Sequence, residues 1–220
     1  MQKTSKKVSL LVVLLAMAGL IGAVGANAAT QTQSPNLSAT VTETMVLACG
    51  DVTIAPVTAG LSQNASANCT ATTNGAAGFN LKVAKSTVGS SASTTLKHTD
   101  TTTWITDTGV GVADLKAFDG TAATSIVWSA GSTKGLGIHV NVSGTTLVSS
   151  LASTIWGADD LPANAKYAAL PAIGNNVTIY KYDSYTGSPA TVGVNYKLDI
   201  PSTQKAGSYA GSVLYTATTN

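Results

Sequence analysis

Three stretches of this 220-residue sequence alternate strictly between apolar and polar or glycine positions, and that period of two is its strongest structural constraint. In "GFNLKVAK", Phe79, Leu81 and Val83 alternate with Asn80 and Lys82. In "GLGIHVNVSG", Leu136, Ile138, Val140 and Val142 alternate with Gly137, His139 and Asn141. In "TVGVNYKLDIP", Val192, Val194, Tyr196, Leu198 and Ile200 alternate with Gly193, Asn195, Lys197 and Asp199. Successive side chains of an extended strand point to opposite faces, so this spacing gathers the apolar groups on one side; a helix would scatter them. Shorter candidates are "ATVTETMVLA" (residues 39–48), "TSIVWSA" around Trp128 and "NVTIYKYD" around Ile179. Turn signals such as "TTNGAAG", "SAGSTKG", "IGNN" and "SYTGSP" separate the runs. Many short strands joined by such turns specify an all-β protein, an antiparallel β-sandwich of Ig-like or jelly-roll-like kind. Two segments have helical character: "TTLVSSLASTIW", with Leu147, Leu151 and Ile155 four apart, and "PANAKYAA".

The first residues concern the compartment. Lys3, Lys6 and Lys7 precede an apolar run over residues 8–26, and Ala26-Asn27-Ala28 supplies the small residues that a signal peptidase requires. We read residues 1–28 as a signal peptide, 29–38 as a flexible leader and 39–220 as the β-sandwich domain. The uncharged run is nearly long enough to span a bilayer, so a retained anchor is the alternative. After cleavage no further segment is apolar enough to cross a membrane, and the expected location is extracellular or at the cell surface. Three of the 12 lysines lie in the signal, which leaves nine against 10 acidic groups. Arginine is missing altogether, which argues against a nucleic-acid partner, because phosphate and base-edge recognition lean on the guanidinium fork. Disorder requires low hydrophobicity with high net charge, whereas this chain is 44% hydrophobic and close to neutral. Its richness in Thr, Val and Ile favours strands.

Few residues point to chemistry. Cys49 and Cys69 are the only cysteines, and in an exported chain a lone pair forms one disulfide. A structural zinc site needs more ligands than one cysteine pair supplies. His139 falls on the polar face of its strand and His98 in a Thr-rich stretch, so both are expected to be solvated. No serine sits in a nucleophile-elbow motif. Glu43 is the sole glutamate, and the nine aspartates are scattered without a pair marked for glycosidase chemistry. Asp107, Asp114 and Asp119 in "TDTGVGVADLKAFDG" lack the spacing of a calcium loop and read as solvated loop carboxylates. No catalytic, cofactor or metal residue is expected. Trp104, Trp128 and Trp156 serve as packing residues or as a sugar-stacking platform.

The closing stretch "IPSTQKAGSYAGSVLYTAT" resembles the last segment of secreted bacterial surface domains of the WxL type and of spore-coat-U-like or pilin-like proteins. The segment "CTATTNGAAGFNLKVA" is similar to the early strand–turn–strand of such proteins. None of the three tryptophans is followed by x-Leu, so the Trp-x-Leu motif that goes with wall binding is missing here. The resemblance implies that residues 192–200 and 209–218 are antiparallel partners joined by "PSTQKAGS". It also implies a non-enzymatic surface role as a fibre, coat or wall-associated subunit, with surface polysaccharide or other surface-protein subunits as partners. A secreted carbohydrate-binding module is the alternative. In the final strand Tyr209, Val213, Tyr215 and Ala217 share one face, and Ala210, Leu214, Thr216 and Thr218 share the other. No charge follows Lys205, whereas exposed edges are normally guarded by lysine, proline or a bulge. The strand is therefore expected to be covered, within its own sheet or by strand addition from a neighbour.

Overall fold

The computed structural model describes residues 36–87, 90, 94–107, 115–141 and 151–220. The expected signal peptide, residues 1–28, and most of the expected leader, residues 29–38, lie outside the described residues. The chain divides into Met1–Val41 and Thr42–Asn220. In the first unit the described residues 36–41 are exposed and without regular secondary structure.

The second unit is all-β, and every strand ladder in it is antiparallel. In chain order the strands are β1 (Met45–Cys49), β2 (Gln63–Thr73), β3 (Phe79–Lys85), β4 (Thr94–His98), β5 (Trp104–Thr106) and β6 (Ile126–Val127). They continue as β7 (Gly135–Val140), β8 (Lys166–Ala169), β9 (Val177–Tyr182), β10 (Ala190–Asp199), β11 (Tyr209–Ala210) and β12 (Val213–Thr219). One sheet has the order β1-β2-β10-β7-β8-β6. Facing it are two three-stranded sheets, β12-β3-β9 and β11-β4-β5. These two are successive stretches of one long antiparallel pairing, in which β3 and β4 meet β12 and β11 in turn.

The alternating runs build the core between the layers. Phe79, Leu81 and Val83 of β3, Leu136, Ile138 and Val140 of β7, and Val192, Val194, Tyr196 and Leu198 of β10 are all buried in one cluster. Ile200 is half-buried and packs against it, while Asn195 and Lys197 are half-buried rather than fully exposed. β2 adds Ala67, Cys69 and Ala71 to the same cluster. Cys49 lies directly opposite Cys69 in the β1–β2 ladder, and the two form the expected disulfide.

Several expectations are corrected. The last strand does not pair with residues 192–200. β10 is central, with β2 on one side and β7 on the other, so both of its ladder edges are taken. Residues 200–208 instead carry the chain across to the opposite layer, where β12 pairs with β3. β12 is an edge strand, so it is not enclosed by its own sheet. "PANAKYAA" is not helical: Lys166–Ala169 is strand β8, with Tyr167, Ala168 and Ala169 buried as it pairs with β7 and β6. The "TTLVSSLASTIW" segment contributes one short helix, α1 (Ala152–Ile155); residues 142–150 lie outside the described residues. The first candidate strand forms only at its end, over Met45–Cys49.

Candidate functional site

An open groove of about 1050 Å³ lies where the edge of the sandwich is incomplete. Its floor comes from the core: Leu136 of β7, Tyr196 and Leu198 of β10, Leu96 of β4 and Ile105 of β5. One wall is segment 50–59, "GDVTIAPVTA", which follows β1. Its Val52, Ile54 and Val57 turn inward onto the core at alternating or near-alternating positions, and its backbone pairing is confined to the Gly50 N–H on the Asn68 carbonyl and a Thr58–Leu61 bridge across a turn. The other wall is β11 and the start of β12, with Tyr209, Val213 and Tyr215 facing inward and Ala210 and Leu214 outward. That division of faces is the one the sequence indicates. No described strand pairs with the outer edge of β12.

Polar contacts shape the rim. Gln204 Nε2 donates to the Tyr209 hydroxyl at 2.7 Å and to the Trp104 carbonyl at 3.1 Å, and that hydroxyl donates to the Lys205 carbonyl at 2.7 Å. Lys205 Nζ donates to Asp100 Oδ2 at 2.7 Å and, with the Thr102 and Thr103 donors, holds the Asp100 carboxyl well below the usual carboxylate range. Deeper in, the hydroxyls of Tyr196 and Tyr215 meet in a short hydrogen bond between the two layers. Burial pushes both phenols up, Tyr196 to about 12 and Tyr215 further. The groove is thus apolar inside, polar at its mouth, and as large as the upper end of ligand pockets (about 300–1,000 Å³). Unlike a pocket for a small molecule, it is bordered by backbone able to form ladders.

Of the residues weighed by sequence for chemistry, Cys49 and Asp51 line the groove, the Trp104 carbonyl joins its rim and His98 packs against Tyr209. His139 is fully buried rather than solvated. Its Nδ1 lies 3.0 Å from the Lys166 carbonyl oxygen and its Nε2 3.0 Å from Asp160 Oδ1, so both ring nitrogens are occupied. His98 is also buried; it accepts from the Asp100 amide at Nδ1 and packs edge-on against Tyr209. Asp107 is no solvated loop carboxylate: it is fully buried against Lys85, as Asp199 is against Lys134. Asp114 lies outside the described residues. Asp119 accepts from Thr121 and Thr124, and Asp159 from Leu161 and Asn164, within their own turns. Trp156 and Trp128 are buried and Trp104 is half-buried, so the three make no exposed platform. Among the described residues no three His, Cys, Asp or Glu side chains are placed together for a metal ion. No helix among them is long and apolar enough to cross a membrane.

Sequence reasoning missed segment 50–59 as the groove's wall. Its alternating Val52 and Ile54 were the available signal, but Pro56 and the following turn obscured it. Against protein-family models, curated proteins and solved structures, this chain finds no match.

Proposed function

We propose that the chain is an exported, non-enzymatic structural or adhesive protein of the cell surface, a subunit that joins its neighbours by strand addition. The groove carries this reading: an apolar trough bounded by an edge strand with no ladder partner on its outer side among the described residues, and by segment 50–59, which joins no multi-residue ladder. An inserted strand would gain main-chain hydrogen bonds from the edge and specificity from alternate side chains in the trough. The occupant we assign is the segment before β1 of a second copy. Leu37, Ala39 and Val41 alternate with Ser38 and Thr40, and Leu37 and Val41 are 98% and 80% exposed in a stretch without secondary structure. Large exposed apolar groups at strand spacing favour a partner that buries them. The disulfide is compatible with an oxidising, extracellular setting. The occupied nitrogens of His139 and the turn-bound aspartates favour a non-enzymatic role.

Sedimentation of the mature chain and of a chain starting at Thr42, over a range of concentrations, tests the proposal. The mature chain should associate with rising concentration and the shortened chain should not. A peptide of residues 36–44 added to the shortened chain should slow amide exchange over residues 209–215. Association of the shortened chain, or no protection by the peptide, overturns the assignment.

A further inference from the structure

Lys85 ends β3 and Asp107 follows β5, and their side chains meet inside the sandwich with only 2% and 0% of their surfaces exposed. Lys85 Nζ is 3.0 Å from Asp107 Oδ2. Thr95, on the intervening β4, donates its backbone N–H to Asp107 Oδ1 at 3.1 Å and its hydroxyl to Oδ2 at 2.7 Å. Such a pair is costly to keep ionised, because desolving both charges offsets most of their attraction. We propose that Lys85 and Asp107 condense to an intramolecular amide, a covalent bond between Lys85 Nζ and Asp107 Cγ.

The contacts assign a role to each atom. Burial raises the Asp107 carboxyl against the opposing pull of Lys85 and Thr95, which favours passing a proton from the ammonium to Oδ2. The neutral amine then attacks Cγ of the carboxylic acid. Negative charge develops on Oδ1, where the Thr95 N–H already points, as donors do in an oxyanion site. The Thr95 hydroxyl and the amine proton serve Oδ2, which leaves as water, and Oδ1 remains as the amide carbonyl. One C–N bond forms, one C–O bond breaks, and one water is released; no oxidant or other co-reactant enters. In bulk water this equilibrium favours the separate groups. Held in contact, intramolecular partners reach effective concentrations on the order of 10⁵ M or more, and the dry site resists the reverse hydrolysis. The bond would tie β3 to the β4–β5 hairpin at the point where the long pairing passes from one three-stranded sheet to the next.

The inference is independent of the groove and its occupant, and mass spectrometry of the folded, exported protein tests it. After reduction of the disulfide, the chain should weigh less than its sequence by one water. Trypsin should then fail to cut after Lys85 and release a branched peptide joining that segment to the one containing Asp107. A full-mass chain cleaved after Lys85 overturns the proposal and leaves an ordinary ion pair. Lys85→Arg keeps the charge without the nucleophile and should restore the missing water. If the loss persists in that variant, it arises elsewhere, for example as a succinimide at Asp119-Gly120, and the proposal fails as well.

Discussion

Single side chains show where alternation stops being informative. The pattern places His139, Lys197 and Asp199 on the face opposite the core, and it is right about the face. It is silent on whether that face meets water. Here Trp128 and Tyr167, with Leu115 and Ala169, form a second apolar cluster over the outer side of the large sheet. Trp128 lies so close to Gly137 that a Cβ there would be 3.0 Å from its ring. Lys197 Nζ sits 5.5 Å and 5.3 Å from the rings of Trp128 and Tyr167, and desolvation lowers its pKa. Gly207 has φ of +142° and approaches His98 so closely that a Cβ would fall 2.1 Å from Nε2. Gly60, also at positive φ (+82°), has nothing within 4 Å of such a Cβ. Gly207→Ala should therefore cost roughly 2–4 kcal/mol, backbone strain plus displacement of the imidazole. Gly60→Ala should cost roughly 1–2 kcal/mol, from backbone strain alone. Urea unfolding of the two variants compares them directly, and equal losses would mean that the His98 ring has another place to go.

Among elements, strands with Val, Ile, Leu or Phe at every second position were legible, and strands built from small residues were not. β2, "QNASANCTATT", buries Ala67, Cys69, Ala71 and Thr73 at alternate positions, yet Ala and Thr differ too little from their polar neighbours for hydropathy to show it. The partner of β12 was illegible for another reason. A proline-bounded turn after β10 looks like a hairpin, and sequence cannot show that β2 and β7, more than 50 residues away on the chain, already occupy both edges of β10. The disulfide was legible because only two cysteines exist, and it has an element-scale consequence. β1 has a single ladder partner, β2, and the Cys49–Cys69 bridge closes that ladder at the end of β1. Replacing both cysteines by alanine should cost about 3 kcal/mol, the loop-closure value for a bridge of this separation. The loosening should begin locally: under reducing conditions, amides of residues 46–49 should exchange well before those of residues 192–198. Simultaneous loss of protection in both would show that the bridge holds the whole fold and not its edge.

Across the second unit, two layers of unequal size enclose one core, and polar contacts join the layers where the groove leaves the apolar packing incomplete. The groove itself was only half legible: the inward face of β12 could be read, but its second wall and its open edge depend on topology. The Tyr196–Tyr215 hydroxyl pair is the clearest of the contacts, joining β10 of the large sheet to β12 of the facing one. Tyr180, inside the same core, is likewise pushed up by burial to about 12. A phenol whose pKa is raised in the folded state keeps its proton after the unfolded chain has lost it. Its contribution to stability is complete below about pH 10, the unfolded value, and is lost as pH rises through about 12 for Tyr196 and Tyr180. Urea stability should thus be flat from neutral pH to about 10 and then fall steeply. Ultraviolet absorbance should show the Tyr196, Tyr215 and Tyr180 phenols ionising only together with loss of the fold. Tyr215→Phe separates the contributions, because it removes one phenol and leaves Tyr196 facing an apolar ring. That variant should lose roughly 1 kcal/mol at neutral pH for the missing hydrogen bond. It should also have a shallower alkaline decline than the wild type. An unchanged decline would place the alkaline sensitivity elsewhere than at the contact between the layers.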